Sequence, residues 1–134
     1  MNLEASFADG NMEEIFDVYK DLVLESTSYH DAKENAYHML MLGMVMNLRD
    51  DYKITSNIES GLGRSDVMLE SKNSERPSII IDFKQGKNVD KLKHEALEQI
   101  MSKKYYSGLK GDVLCIGIAH DKHVCQLVHE MITV

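Results

Sequence analysis

The sequence predicts an α/β protein in which a mixed sheet of four or five strands is flanked by helices on both faces. Three observations predict this fold. Apolar residues recur at helical spacing through the first 50 residues, the spacing changes to alternation near Tyr52, and a long helical segment follows the third predicted strand. The expected order of elements is therefore α-α-β-β-β-α-β-β.

Two helices are predicted ahead of the sheet. Asn11 and Glu14 have the spacing of a capping box, and the apolar residues that follow them share one helix face. The second helix covers 31–48 and is apolar nearly all round, through its leucines and methionines. We therefore expect it to be central and buried.

The rest of the chain predicts five strands and one more helix. Polar and apolar residues alternate over 52–58, a turn follows at 59–63, and the run Ile79-Ile80-Ile81 is typical of the centre of a sheet. The predicted strands are 52–58, 65–70, 78–84, 113–119 and 123–129, and the predicted helix is 89–109.

Composition and charge narrow the class of protein. The chain has 134 residues, of which 43% are hydrophobic and 28% charged, as in a globular domain. No apolar run is long enough for a bilayer and no secretory signal opens the sequence, so we expect a cytoplasmic protein without a membrane partner. The two cysteines, Cys115 and Cys125, are expected to be thiols rather than a disulfide.

The charge distribution limits any contact with nucleic acid to the middle of the chain. The net charge is −7, whereas a protein that coats duplexes through their phosphates is usually basic throughout. Residues 51–110 carry eleven basic and nine acidic side chains, a balance of +2. Nucleic acid would therefore bind through this segment.

Three strand positions are the candidates for chemistry. Asp82 and Lys84 share one face at the end of an apolar strand, where charge is costly unless the strand opens on a polar site. If the hairpin register brings Asp66 beside Asp82, two carboxylates converge and require a cation. Hard oxygen ligands favour magnesium or manganese.

These residues lie within motifs that resemble the PD-(D/E)XK nuclease superfamily. The motifs are S-N-I-E-S-G-L-G-R-S-D over 56–66, I-I-I-D-F-K over 79–84, E-N-A-Y-H over 34–38 and E-A-L-E-Q-I over 95–100. More narrowly, they are similar to the domain at the C-terminus of bacterial proteins that carry an N-terminal ATPase-like domain. One departure is Asp82, where that family usually has Glu.

The resemblance covers nearly the whole chain and implies its fold and organisation. It implies a restriction-endonuclease-like fold in a single domain over 1–134, with a helical lead-in over 1–30 and a nuclease core over 31–134. It also suggests two partners, which are a second copy of the chain in a homodimer and an upstream ATPase-like domain in the full-length protein.

The resemblance further implies a metal site and a catalytic lysine. Asp66 and Asp82 would bind Mg²⁺ or Mn²⁺ together with the Phe83 carbonyl, and Glu34 would be a helical acid that binds the metal directly or through water. Lys84 would orient or deprotonate the attacking water. The implied reaction is hydrolysis of DNA, with RNA less favoured. The alternative is a catalytically silent module that binds nucleic acid or protein within a larger ATPase-containing system.

Three further residues would support the site. Gln99 is similar to a glutamine that steadies the site in several relatives, and Lys103, one turn later, and Arg64 would contact a phosphate. By default Gln99 and Lys103 would be solvated helix residues, and Arg64 would pair with Glu59 or Glu70.

Ordinary structural explanations also exist for the charged residues at the centre of the hypothesis. Asp66 and Lys84 would form a cross-strand ion pair on a solvated face, and Glu34 would be a first-turn acid favoured by the helix dipole. An ion pair between Asp66 and Lys84 would not explain the glycine-rich turn or the position of Glu34, so the metal site is favoured over it. The histidine spacings match no zinc signature, and the histidines other than His38 are expected at the surface.

Overall fold

The structure is a computed structural model that describes Asp17 and residues 49–56, 66–73, 75–121 and 124–134. Asp17, inside the first predicted helix, is helical and exposed. The remainder of that helix, the helix predicted over 31–48 and the turn predicted over 59–63 lie outside the described residues. Within the described part, no helix has the length and apolar character that a bilayer-spanning helix requires.

The described residues form one mixed five-stranded sheet with a helix on one face. The elements are β1 (Tyr52–Ser56), β2 (Val67–Ser71), β3 (Ser78–Gln85), α1 (Val89–Lys103), a 3-10 helix (Tyr105–Gly108), β4 (Asp112–His120) and β5 (Cys125–Thr133). The strands lie side by side in chain order. Neighbours are antiparallel except β3 and β4, which are parallel because α1 connects them. The predicted order β-β-β-α-β-β is confirmed over this part of the chain.

The long helix ends six residues earlier than predicted. Lys104 adopts a left-handed conformation (φ 53°), and its N–H bonds the carbonyls of Ile100 and Met101. This geometry terminates α1. The apolar periodicity nevertheless continues, because Tyr105 and Tyr106 of the 3-10 helix pack on the same core as the helix.

The last strand is longer than predicted and runs to Thr133. It pairs with β4 along its whole length, from His120 opposite Cys125 to Asp112 opposite Thr133. Gly111 and Val134 then exchange two main-chain hydrogen bonds, of 3.2 and 2.9 Å. Polar and apolar residues do not alternate regularly along β5, so the sequence pattern could not predict where this strand ends.

The sheet is apolar on both faces. On the α1 side the buried cluster is Ile80, Ile100, Leu109, Val113 and Cys115. Residues of the opposite face are equally buried, among them Leu69, Ile79, Ile81, Phe83, Leu114, Ile116 and Ile118. Such burial on both sides is typical of the centre of an α/β sheet.

The histidines differ in part from expectation, whereas the cysteines agree with it. His94 and His129 are exposed as predicted, but His120 is fully buried and stacks on Phe83 with ring centroids 5.9 Å apart. The sheet places His120 there, since the end of β4 lies beside the end of β3. Both cysteines are thiols, as predicted, and both are buried. In the β4–β5 register Cys115 faces Glu130, so the cysteines are not opposite each other.

Candidate active site

Asp66 and Asp82 meet where β2 and β3 begin to separate. Val67 is paired with Ile81, and the same antiparallel register places Asp66 opposite Asp82 one position further. Residues opposite each other in an antiparallel pair present their side chains on the same face. The predicted register is therefore present, and the two carboxylates share one face of the sheet.

Each of these carboxylates binds the main chain of the neighbouring strand. The Asp66 N–H donates to Asp82 Oδ1 over 2.9 Å, and the Phe83 N–H donates to Asp66 Oδ2 over 2.7 Å. Asp82 is only 2% exposed, so it needs such hydrogen bonds to be tolerated in the sheet. The two bonds hold a pair of like charges together in a partly desolvated place, an arrangement that favours a bound cation.

Lys84 lies on the same face as Asp82 and reaches α1. Its ammonium donates to Gln99 Oε1 over 2.7 Å, and Gln99 Nε2 donates in turn to the hydroxyl of Tyr105 over 3.0 Å. Among the described residues, the partner of the ammonium is thus a neutral amide rather than the carboxylate of Asp66. The amide satisfies a donor of Lys84 without neutralising its charge.

The close approach of α1 to the sheet makes the contact between Lys84 and Gln99 possible. Gly117 lies opposite Asp82 in the β3–β4 register. A Cβ atom at Gly117 would lie 2.6 Å from the backbone nitrogen of Leu97 and would also overlap the carbonyl of Lys93. The missing side chain lets the helix rest directly on β4, and Gln99 follows two residues after Leu97.

Of the remaining predicted site residues, only Lys103 lies in the part of the chain that the structure describes. Lys103 is exposed in the last turn of α1, one turn after Gln99. Glu34 and Arg64 lie outside the described residues, so their roles stay predictions. The hydrogen bond from Gln99 to Tyr105 was not predicted, because six residues and a helix end separate the two and no periodic pattern links them.

The comparison with protein families decides the assignment. Residues 32–130 match the model of the PD-(D/E)XK nuclease superfamily, a span that contains Asp66, Asp82, Lys84 and Gln99. The chain belongs to the PD-(D/E)XK nuclease superfamily. The resemblance predicted from the motifs is therefore confirmed, and the mixed sheet agrees with the restriction-endonuclease-like α/β fold of the superfamily. The narrower link to ATPase-like proteins stays a prediction. A comparison with curated proteins gives no match.

The donor atoms at the junction of β2 and β3 fit the metals that this superfamily generally uses, which are divalent. Two carboxylates and the nearby Phe83 carbonyl are hard oxygen donors, which suit Mg²⁺ or Mn²⁺ rather than zinc. The described ranges contain no cluster of three or more acidic, histidine or cysteine side chains able to hold a metal. A third side-chain donor would therefore come from elsewhere in the chain, as predicted for Glu34.

Proposed function

We propose that this protein is a metal-dependent nuclease that hydrolyses phosphodiester bonds in DNA. The observation that carries the proposal is the arrangement of Asp66, Asp82 and Lys84 on one face at the junction of β2 and β3. Membership of the superfamily supports a nuclease-like function. Activity, the metal and the substrate are parts of the proposal.

The proposed chemistry requires two tasks at the scissile phosphate. A divalent cation, held by Asp66, Asp82 and the Phe83 carbonyl, would offset phosphate charge and lower the pKa of a bound water. Lys84 orients that water for attack on phosphorus. The water oxygen bonds to phosphorus and its proton passes to bulk water, while the bond to the leaving oxygen breaks and that oxygen takes up a proton from bulk water. Lys84 suits this task because its charge is not neutralised by its partner Gln99.

Contacts to the rest of the nucleic acid are proposed for Lys103 and Arg64. Lys103 is exposed on α1 and follows Gln99 by one turn, so a phosphate bound near the site would be within its reach. The two hydrogen bonds between Asp66 and β3 fix the position of Asp66, which follows Arg64 by two residues in the sequence. The proposal also includes Glu34 as a further acid at the metal.

A cleavage assay tests the proposal. Supercoiled, linear and single-stranded DNA, and a single-stranded RNA, are incubated with the protein and Mg²⁺ or Mn²⁺. We expect metal-dependent cleavage of DNA that falls at least about 100-fold in Lys84→Ala, the scale of removing one group that stabilises the transition state. Lys87→Ala is the matched control, because Lys87 is exposed in the loop after β3.

The same assay separates the proposal from its rival. Nucleic acid that binds but is never cut, with an affinity that Lys84→Ala leaves unchanged, would contradict the enzyme and support a silent binding module. Cleavage of RNA alone would contradict the proposed substrate but not the reaction.

A further inference from the structure

We infer that Tyr105 is a positioning residue whose hydroxyl fixes the Gln99 amide so that the amide oxygen faces Lys84. This inference rests on the proposed function, because Lys84 is the residue that Tyr105 would position. The chain of hydrogen bonds runs from Lys84 Nζ to Gln99 Oε1 over 2.7 Å and from Gln99 Nε2 to the Tyr105 hydroxyl over 3.0 Å.

The donors and acceptors of the three side chains require this orientation. An ammonium carries donors only, so it binds the oxygen of an amide and is repelled by the amide NH₂ group. The two ends of a glutamine amide have nearly the same shape, and packing alone distinguishes them poorly. The donor-only ammonium selects the oxygen end, and the tyrosine hydroxyl, which can donate or accept, then accepts from the NH₂ end. This second contact keeps the amide from rotating out of the orientation that Lys84 needs.

The core holds Tyr105 in place independently of the site. The left-handed Lys104 ends α1 and turns the chain into the 3-10 helix that begins with Tyr105. The ring of Tyr105 is half-buried and packs against the cluster around Ile80 and Ile100. The hydroxyl is therefore supplied by a packed ring on a different element from the amide that it orients. Support from outside the reacting groups is how sites keep their side chains ordered.

Removal of the hydroxyl alone should loosen Lys84 without disturbing the core. In Tyr105→Phe the ring still packs, but the Gln99 amide is able to rotate. Lys84 then meets the amide oxygen for only part of the time. Because Lys84 acts in the reaction step, kcat should fall while KM stays near its original value.

The test uses nitrogen NMR of the whole chain without metal or substrate, with Tyr106→Phe as the matched control. Tyr106 is the neighbouring half-buried ring on the same core cluster. In Tyr105→Phe we expect the Gln99 side-chain amide to shift and its protons to exchange with water about fivefold faster, the scale of one lost hydrogen bond. The Lys84 ammonium signal should broaden. Tyr106→Phe should leave both signals unchanged, and unchanged spectra in Tyr105→Phe would overturn the inference.

A double variant separates orientation from general support. A glutamate at position 99 has two equivalent oxygens, so it needs no orienting partner. In the Gln99→Glu background, adding Tyr105→Phe should have little further effect on the Lys84 signal. If the tyrosine acted only by packing, it would have the same effect in both backgrounds, and the inference would be wrong.

Kinetics then distinguish failure of this inference from failure of the proposed nuclease. If Tyr105→Phe alters the NMR signals but the wild type cleaves no nucleic acid, the proposed function fails and the positioning contact stands. If the wild type is active, we expect kcat of Tyr105→Phe to fall about fivefold with KM unchanged. If the wild type is active but Tyr105→Phe has the same kcat and the same spectra as the wild type, the inference about Tyr105 is wrong and the proposed function is unaffected.

Discussion

Asp66 and Asp82 each accept a hydrogen bond from the main chain of the other's strand, at 2.7 and 2.9 Å. Neither carboxylate can therefore swing away without breaking a bond that joins β2 to β3. The pair is built into the end of the hairpin as a fixed unit. Such an arrangement organises oxygen donors before any cation arrives, at the expense of holding two negative charges together.

Asp66→Asn should abolish metal binding and leave the fold intact. Asparagine keeps an oxygen that accepts the hydrogen bond from Phe83, but it removes one of the two charges that attract a cation. We expect calorimetry to detect no Mn²⁺ binding, which requires the affinity to fall well beyond tenfold, or by more than about 1.4 kcal/mol. The thermal midpoint should stay equal or rise, because the repulsion between the carboxylates is relieved.

Two further variants complete that measurement. Asp66→Ala removes the acceptor as well as the charge, so it should lose metal binding and also about 1 kcal/mol of stability. Asp90→Asn removes an exposed carboxylate in the first turn of α1 and should leave Mn²⁺ affinity unchanged. Equal Mn²⁺ affinity in Asp66→Asn and the wild type would refute the role of Asp66.

The strand residues of the site were predictable because alternation fixes which side chains share a face. Asp82 and Lys84 are two apart in β3, and only the register with Asp66 had to be assumed. Gln99 was predicted as a site residue from a sequence motif. Its contact with Lys84, however, depends on how closely α1 packs against the sheet. That approach is set at Gly117, whose lack of a side chain has no periodic signature.

The helix end shows the other limit of sequence reasoning. Lys104 terminates α1 in a left-handed conformation that glycine usually adopts, while the apolar pattern continues through Tyr105 and Tyr106. The spacing of apolar residues indicates which residues face the core. Here α1 and the 3-10 helix that follows it pack against the same core, so the apolar spacing continues past the end of α1. The end of the helix could therefore not be read from the pattern.

Gln99→Glu should reduce activity although it keeps a partner for Lys84. The new carboxylate would pair with the ammonium and neutralise the charge that the proposed reaction uses, and it would place a third negative charge near Asp66 and Asp82. We expect kcat to fall at least about tenfold, equivalent to about 1.4 kcal/mol of transition-state stabilisation. Glu98→Gln, on the exposed side of α1, is the control and should leave kcat unchanged. Full activity in Gln99→Glu would show that a neutral partner is not required.

Gly117→Ala should destabilise the protein by displacing α1. The added Cβ would lie 2.6 Å from the nitrogen of Leu97, and backbone atoms cannot move aside as a side-chain end can. Overpacking of this kind costs about 1–3 kcal/mol, measurable as a lower midpoint of urea unfolding. Gly108→Ala is the matched control, because a Cβ there would meet nothing within 4 Å. Equal losses in the two variants would contradict the close approach of α1 to β4.

The stability of the protein should fall with rising pH above about 9 because of Cys115. Burial, and after it the charge of Glu130, raises the pKa of this thiol from 9.0 to about 12. Below pH 9 the thiol is protonated in both the folded and the unfolded chain, so it adds no pH dependence. Between pH 9 and 12 the unfolded chain releases the proton while the folded chain retains it. The free energy of unfolding should therefore fall by about 1.4 kcal/mol per pH unit in that window.

A variant comparison isolates this contribution from the other groups that titrate at high pH. Cys115→Ala lacks the thiol, so its urea-unfolding free energy should lie below that of the wild type near neutral pH, because a cavity is left in the core. Above pH 9 the difference should narrow and then reverse. Val113→Ala creates a cavity in the same cluster without removing a titrating group, and its deficit should stay constant with pH. A constant deficit for Cys115→Ala as well would show that the thiol ionises equally in the folded and unfolded chain.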